Sequence, residues 1–467
     1  MILSAPNHGF SPILISSSPT IPSPTNPAST PLAERVNAFL TYVVYLLPAV
    51  PSSSNTGYGL PPADTGVRLL NWIADASTFF VHMERRIDPF FRSAFDAVFR
   101  QVLTNVTNSL INFQRKNDGL QLAGERIQAD EDAHLDEIIS AMGNQMRRLW
   151  KPGDFQRGGN TKTHGIVRGE FIVREDIPEH MRRGIYAQPR TYPAWVRFCG
   201  PGPYITPDID DVGFMSISIK LMGVPGPKLL DDEKFTQDMT GVSTPTFVTP
   251  DTKANAHLQQ WSYKNAQLFH FLNFTQPHLL DLIMQGLWIK TQSSPLESQY
   301  FSCVPYLLGE GQAMQFSVWS RRRQRTRVPR LPLRPSDNYL RDAMVATLAK
   351  EDVEFDIKLQ VQTDPYLMPI ENNAVFWPPR LSPRVPAAVL HIPQQKFDSP
   401  AQFEFAKVLS YNPWHCVPEH RPLGNQSRAR LRLYKTLSTL RQSMNQVEHY
   451  EPDGNETFAD SAIRSGV

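Results

Sequence analysis

Three side chains on one stretch of this sequence could do chemistry together. In Ser427 to Asn445, SRARLRLYKTLSTLRQSMN, there is no Pro or Gly and many helix formers, so the stretch predicts a helix. Arg430, Tyr434 and Arg441 stand at i, i+4 and i+11. At about 100° per residue they fall within roughly 40° of one another, so one face carries two guanidiniums and a phenol. A phenol with an ordinary pKa of about 10 is a poor ligand for iron, but neighbouring arginines favour the phenolate. A tyrosinate can hold ferric haem from one side. The plainer use of the same residues is a basic surface helix with one tyrosine packed on its apolar side, because Arg-x-x-x-Tyr is an inexpensive pattern.

The remaining totals bound the setting. The chain has 467 residues, 41% hydrophobic and 20% charged, enough for a large core. A net charge of +2 argues neither for nucleic acid nor for an anionic membrane. Cys199, Cys303 and Cys416 are widely spaced and make no metal pattern, so reduced thiols in an intracellular setting, cytoplasmic or peripheral to a membrane, are expected. The sequons at Asn105, Asn273 and Asn455 would matter only in a secreted protein. No Gly-rich phosphate loop, Gly-x-Ser-x-Gly elbow or paired Cys or His metal spacing is present.

The elements that must position the helix follow in order. Residues 1–33 are a Ser/Pro-rich tail predicted to be disordered, without the basic start and apolar run of a secretory signal. Residues 34–150 predict an N-terminal helical region. Within it, FLTYVVYLLPAV (Phe39 to Val50) is too short to span a bilayer; it suits a buried helix or a dip into a membrane surface. From Gly66 to about Trp150, Phe79, Phe80, Met83, Ile87, Phe90 and Phe91, then Leu103, Val106, Leu110 and Phe113, recur at helical steps. Core packing is the simplest use of that aromatic face, and contact with lipid the other.

After Pro152 the texture is that of strands: THGIVRGEFIV, YPAWVRFCG, FMSISIKLMG, Gln315 to Trp319, and the alternating run from Val353 to Gln362. Helical stretches are expected at Asn255 to Ser262, Ala266 to Trp288 and Ala401 to Leu409. The prolines from Pro365 to Pro422, part of a total of 41, predict extended ordered connections. Long-separated strands with helices gathered at the ends predict an α+β fold with a mostly antiparallel sheet or barrel over residues 151–446, then a polar tail, 447–467.

Four blocks in this order resemble the haem-dependent catalase superfamily, in particular its smaller catalase-like branch. They are RGGNTKTHG; WVRFCGPG; DDVGFMSISIKL followed by TQDMTGVSTPTF; and SYNPWHCVPEHRPLGNQSRARLRLY. NPW, then EHRPLG, then Arg-x-x-x-Tyr is the most specific of these, and the match runs from about Arg157 to Arg441. The resemblance implies a catalase-type antiparallel β-barrel with surrounding helices and a buried haem b. Tyr434 then matches the family's iron ligand, Arg430 the arginine that keeps the phenol ionised, and Arg441 a further haem-side arginine. Arg197 and Arg157 match the arginines near the haem carboxylates, a task suited to guanidinium because it stays charged and binds carboxylates two oxygens at a time.

The distal side departs from the pattern. Catalases read Arg-x-x-His-Ala-Lys-x-x-Gly, and over Arg157 to Gly165 the histidine position falls on Asn160. His164 stands four residues on, and Thr163-His164 looks like the Thr-His pair of the coral allene oxide synthase branch. The family's distal Asn is replaced by Val242, followed by Ser243. Catalatic turnover needs a distal base and a polar partner. The sequence therefore suggests haem chemistry on organic or fatty-acid hydroperoxides ahead of hydrogen peroxide. A weak true catalase, or a haem binder without turnover, stays open. No nucleic-acid partner is expected; a peripheral membrane contact and an oligomer are both compatible with the chain.

Overall fold

The computed structural model describes residues 61–458, apart from 274, 324 and 330–334. The tail at 1–33 and the apolar segment at Phe39 to Val50 lie outside the described residues. Three helices come first: α1 (Arg68–Phe95), α2 (Gln101–Gln114) and α3 (Glu131–Leu149), with a π-helical turn, Asp96–Arg100, joining α1 to α2. Strands β1 (Thr163–Val173), β2 (Thr191–Cys199), β3 (Ser216–Leu221) and β4 (Gln237–Val242) follow. Helices α4 (Thr252–Tyr263), α5 (Leu268–Phe271) and α6 (Leu279–Trp288) come next. After them come β5 (Gln299–Phe301), β6 (Tyr306–Leu307), β7 (Ala313–Ser320), α7 (Tyr339–Leu348), β8 (Val353–Val361) and β9 (Val385–Ile392). Helices α8 (Pro400–Val408) and α9 (Asn425–Asn445) complete the order.

The strands form one antiparallel sheet in the order β5-β4-β3-β2-β1-β9-β8-β7-β6, and β5 also pairs with β7. That pairing closes eight strands into a barrel, with β6 as a short extra strand on β7, and closure removes the free edges an open sheet would expose. The fold is therefore α+β: an antiparallel barrel with surrounding helices and a helical region before it. Alternate residues fill the interior. Val196 and Phe198, Ile217 and Ile219, Phe316 and Val318, and Phe355 and Ile357 are buried together there. Pro386 lies within β9 beside a register shift on β8 between Ile357 and Lys358, where a missing N–H is tolerated. This strand falls inside the proline-rich stretch read above as extended connections. The stretch from Ala266 to Trp288, expected to be helical throughout, breaks into α5 and α6, with Pro277 between them.

Strand β3 is buried on both faces. Ile217, Ile219 and Leu221 enter the core, while Lys220 points outward beneath the Asn412–Cys416 segment. An ammonium cannot stay there without anions. Lys220 Nζ donates to Asp238 Oδ2 at 2.9 Å and to Glu233. His415 Nδ1 sits 2.9 Å from Asp238 Oδ2 and its Nε2 3.1 Å from Asp232 Oδ1. Glu233, Asp238 and His415 bring ligand atoms within 4.8 Å of one another, as a metal site would, but the Lys220 ammonium already serves as their cation.

Burial pushes the His415 imidazole down, but the hydrogen bonds to Asp232 and Asp238 outweigh it and raise the group to about 9. Burial pushes Glu233 up, yet Lys220 and the neighbouring imidazoles bring it down to about 2. The imidazole's contribution is therefore complete below its unfolded value of about 6.5 and is lost as pH rises through about 9. The carboxylate's contribution is present above its unfolded value and lost as pH falls through about 2. Denaturant unfolding of His415→Gln should show a flatter decline on the alkaline side than the parent. Lys220→Met, which leaves Glu233 and Asp238 without the ammonium and with only imidazole to offset them, should cost about 3–5 kcal/mol in the same measurement.

The N-terminal helices are turned the opposite way from the simplest expectation. Phe80 is 69% exposed, Phe90 69% and Phe113 88%, so the aromatic face is outward rather than core. The polar residues hold the inner side. Pro89 lacks the N–H that would reach the Arg85 carbonyl, and the Thr291 hydroxyl donates to that carbonyl instead at 2.5 Å. The Thr291 N–H donates to Asp88 Oδ2 at 2.7 Å, and Arg86 Nη2 to Asp210 Oδ1 at 2.8 Å. Asn108 exchanges two hydrogen bonds with the Phe376 backbone, at 3.0 and 2.8 Å. Among the described residues no helix is long and apolar enough to cross a membrane.

Candidate functional site

Five strands present one row on the outer face of the barrel. Thr163 is registered opposite Cys199, Cys199 opposite Ser216, Ser216 opposite Val242, and Val242 opposite Phe301. Directly opposed residues share a face, so these side chains line up while Phe198, Ile217 and Tyr300 point into the core. Asn160 joins the row from the preceding loop. Its φ of +52° turns the chain there, and its Oδ1 accepts a hydrogen bond from Ser216 Oγ at 2.7 Å.

Beside this row three arginines gather. Arg197 donates through Nε and Nη2 to Thr163 Oγ1 at 3.1 and 2.8 Å, and through Nη2 to the Asn160 carbonyl at 2.7 Å. Arg157 Nη2 donates to the carbonyls of Ala406 and Leu409, at 2.8 and 2.5 Å. Arg441 donates to the Lys407 carbonyl and to Ser410 Oγ, the latter at 2.8 Å. Burial, then the charges of Arg197 and Arg441, hold Arg157 well below the usual guanidinium range. Burial and Arg197 bring Arg441 down to about 10. Among the described residues none of the three forms an ion pair with a carboxylate; the acceptors are carbonyls and hydroxyls, several at the C-terminal end of α8, where the helix dipole is negative. Three cations with so little counter-charge are suited to a ligand carrying two carboxylates.

Helix α9 runs past the row. Gly424, at φ +87°, starts it, and a Cβ there would lie 2.4 Å from the Ile370 carbonyl oxygen, so only glycine fits. Trp414 Nε1 donates to the Ser427 carbonyl at 2.7 Å, and Arg428 bonds Glu125, Glu131 and Glu371. At one end of α9 Arg430 lies 5.2 Å over the Phe247 ring and exerts its charge on Cys303 and Tyr306. At the other end Arg441 joins Arg157 and Arg197. Eleven residues of helix span about 16 Å, and Tyr434 lies between, half-buried against Leu135, Ile138 and Leu433. The structure thus brings Arg157, Arg197, Arg441, Asn160 and Thr163 into one cluster and sets Arg430 at the far end of the same helix.

His164 goes elsewhere. It is buried, with Nδ1 3.6 Å from Asp208 Oδ1, and opens onto a cavity of about 10 Å³ lined by Asp208, Asp211, Met215 and Tyr339. Burial, then Lys162, Arg341 and Arg197, hold its imidazole well below the usual range. Lys162 pairs with Asp208 at 2.6 Å, and burial raises Asp211 to about 6. Lys162 stands at the lysine of the Arg-x-x-His-Ala-Lys-x-x-Gly pattern, but Asp208 and Asp211 escape a reading of the sequence, where two aspartates between strands are ordinary solvated charges.

The donor set fits a haem: a tyrosine between two arginine-bearing turns, and three guanidiniums for two carboxylates. Beside this donor set Met142, Met146 and Leu437 pack against Gly158, within 3.4 Å of where its Cβ would be.

No family profile and no curated protein matches the sequence. Solved structures do. A fungal catalase is similar at 15% identity, over 71% of this chain and 67% of that one, with a TM-score of 0.49. Catalase A from Saccharomyces cerevisiae is similar at 13% identity, over 74% and 72%, with a TM-score of 0.49. A bacterial catalase is similar at 15%, over 75% and 71%, with a TM-score of 0.45. The similarity is to catalases. At this level of overlap the reading of the site rests on the chain's own residues.

Because the buried His164 is held neutral, its protonation favours the unfolded chain, and stability is lost as pH falls below about 6.5. His164→Gln should therefore lose less stability than the parent between about pH 7 and about pH 5, measured by denaturant unfolding.

Proposed function

We propose that the protein binds haem b through Tyr434 and turns over organic or fatty-acid hydroperoxides in preference to hydrogen peroxide. The observation that carries this is the row on which Asn160 accepts from Ser216, with Ser216 opposite Val242. An amide and an isopropyl group stand there, with no titratable base between them. In this reading Asn160, not His164, takes the distal position. Arg157, Arg197 and Arg441 would hold the two carboxylates, and Arg430 would keep a positive charge one turn from the Tyr434 phenol. Haem, when bound, supplies the cleavage of the O–O bond.

The chain's own part is selection. Hydrogen peroxide offers only polar contacts, and Val242 gives it no hydrogen-bond partner. A long-chain hydroperoxide is held by its tail, at about 0.8 kcal/mol per buried CH₂. Asn160 can orient the terminal oxygen by donating its amide but cannot shuttle a proton, which a hydrogen peroxide cycle requires.

Absorption spectroscopy of the purified, haem-reconstituted protein is the first test. Tyr434→Phe should abolish haem binding or shift the spectrum strongly, and an unchanged spectrum would refute the ligand. kcat/KM should be higher for a fatty-acid hydroperoxide than for hydrogen peroxide, and Val242→Asn should narrow that ratio. Loss of activity by about 10²-fold or more in His164→Ala, with Asn160→Ala intact, would return the distal role to His164.

A further inference from the structure

The outward face of α1 and α2 is inverted relative to an ordinary surface helix. Between Phe79 and Phe113 every charged residue is buried or half-buried. Glu84 pairs with Arg85, Arg86 with Asp210, and Arg92 and Arg100 with Asp96. The exposed positions carry phenylalanine, valine, leucine, isoleucine, methionine and alanine, with the uncharged polar residues Ser93, Gln101, Asn105 and Ser109 among them. Hydrogen bonds of Thr291 and Phe376 to Asp88 and Asn108 fix this orientation, so the apolar side is outward by construction.

The π turn at Asp96–Arg100 keeps the face continuous. On an unbroken α-helix, Val102, Val106 and Phe113 would sit roughly 60°, about a sixth of a turn, away from Phe80, Ile87 and Phe91. A π turn takes more residues per revolution and absorbs about that difference. The result is a single ridge about 50 Å long. Its exposed apolar area is on the order of 1,000 Å², beyond the few hundred Å² usual for the largest patch of a monomer.

From this ridge we infer that α1 and α2 seat the protein on the surface of a lipid bilayer. Two observations choose lipid over a second protein surface. A protein interface of this size carries about one hydrogen bond per 100–200 Å² and relies on Tyr, Trp and Arg anchors. Here the exposed large side chains include none of those three. Of the polar groups on the face, Gln101 Nε2 donates to Asn105 Oδ1 at 3.1 Å, and Ser109 Oγ to the Asn105 carbonyl at 2.9 Å. The second observation is width. Phe79, Phe80, Phe90 and Phe91 spread over roughly 120° of the helix, whereas a two-helix contact between copies uses a narrower seam. A convex ridge that is broad, mostly apolar and with no fully exposed charged residue matches the boundary between headgroups and acyl chains. It acts apart from the haem reading and stands whether or not that reading holds.

Flotation of the full chain with vesicles of phosphatidylcholine alone tests it, since those vesicles carry no net charge. The protein should rise with the vesicles, unaffected by high salt. Phe90→Asp combined with Phe113→Asp should lower the partition at least about tenfold, with the unfolding midpoint unchanged because both side chains are exposed. A parent protein that stays in the aqueous fraction would overturn the inference, as would equal flotation of the variant. A parent dimer that becomes monomeric in the variant, with no change in flotation, would assign the ridge to a second copy instead.

Discussion

A buried ammonium must be surrounded by anions, and the placement of Lys220 organises much of what lies outside the barrel. Its charge recruits Glu233 and Asp238, and Asp238 in turn accepts from the Asn412 N–H at 2.8 Å and pairs with His415. That fixes the NPWHC segment on the outside of β3 and β4. Trp414, two residues on, holds the first turn of α9 through the Ser427 carbonyl. The path from one lysine to the helix that carries Tyr434 is thus a short chain of directional bonds. Replacing those bonds with apolar contacts would leave the helix free to slide; the polar network fixes its register.

Two cationic clusters on neighbouring strands contrast in a useful way. Lys220 is matched by acids; Arg157, Arg197 and Arg441 are matched by carbonyls and hydroxyls. The first is complete in itself. The second gathers positive charge that dipoles only partly offset, and such an arrangement is costly unless a negative ligand repays it. On the proposed reading the first serves stability and the second binding, although both are buried and both are built on neighbouring strands.

Much of this was legible in the sequence where local pattern and tertiary role agree. The α9 face and the alternation of β8 could be read directly, because helix formers without Pro or Gly and clean period-two burial leave little choice. Strand β4 was not, since QDMTGV mixes an acid, a threonine and a glycine whose burial depends on Lys220 across the sheet. Strand β9 was hidden by Pro386 and the prolines flanking the strand; a register shift accommodates Pro386. The helical period of Phe79 to Phe113 was plain, but its direction was not. Period says which residues share a face and nothing about which side that face takes; the side was decided by Asp88, Asn108 and Arg92 finding backbone partners on the barrel domain. Within the candidate site, the arginines were readable by resemblance, while the separation of His164 from Asn160 depends on a bulge at the start of β1.

The carbonyls that hold Arg157 and Arg441 belong to the end of α8 and the residues just after it. Those guanidiniums act as a cap for a helix that has no basic side chain of its own beyond Lys407 in its last turn. An anion arriving at the arginines competes with the cap for the same N–H groups. Occupancy of the arginines and fraying of the last turn of α8 would then be two readings of one equilibrium: the slow exchange of a few amide protons near Leu409 would report whether an anion is bound there.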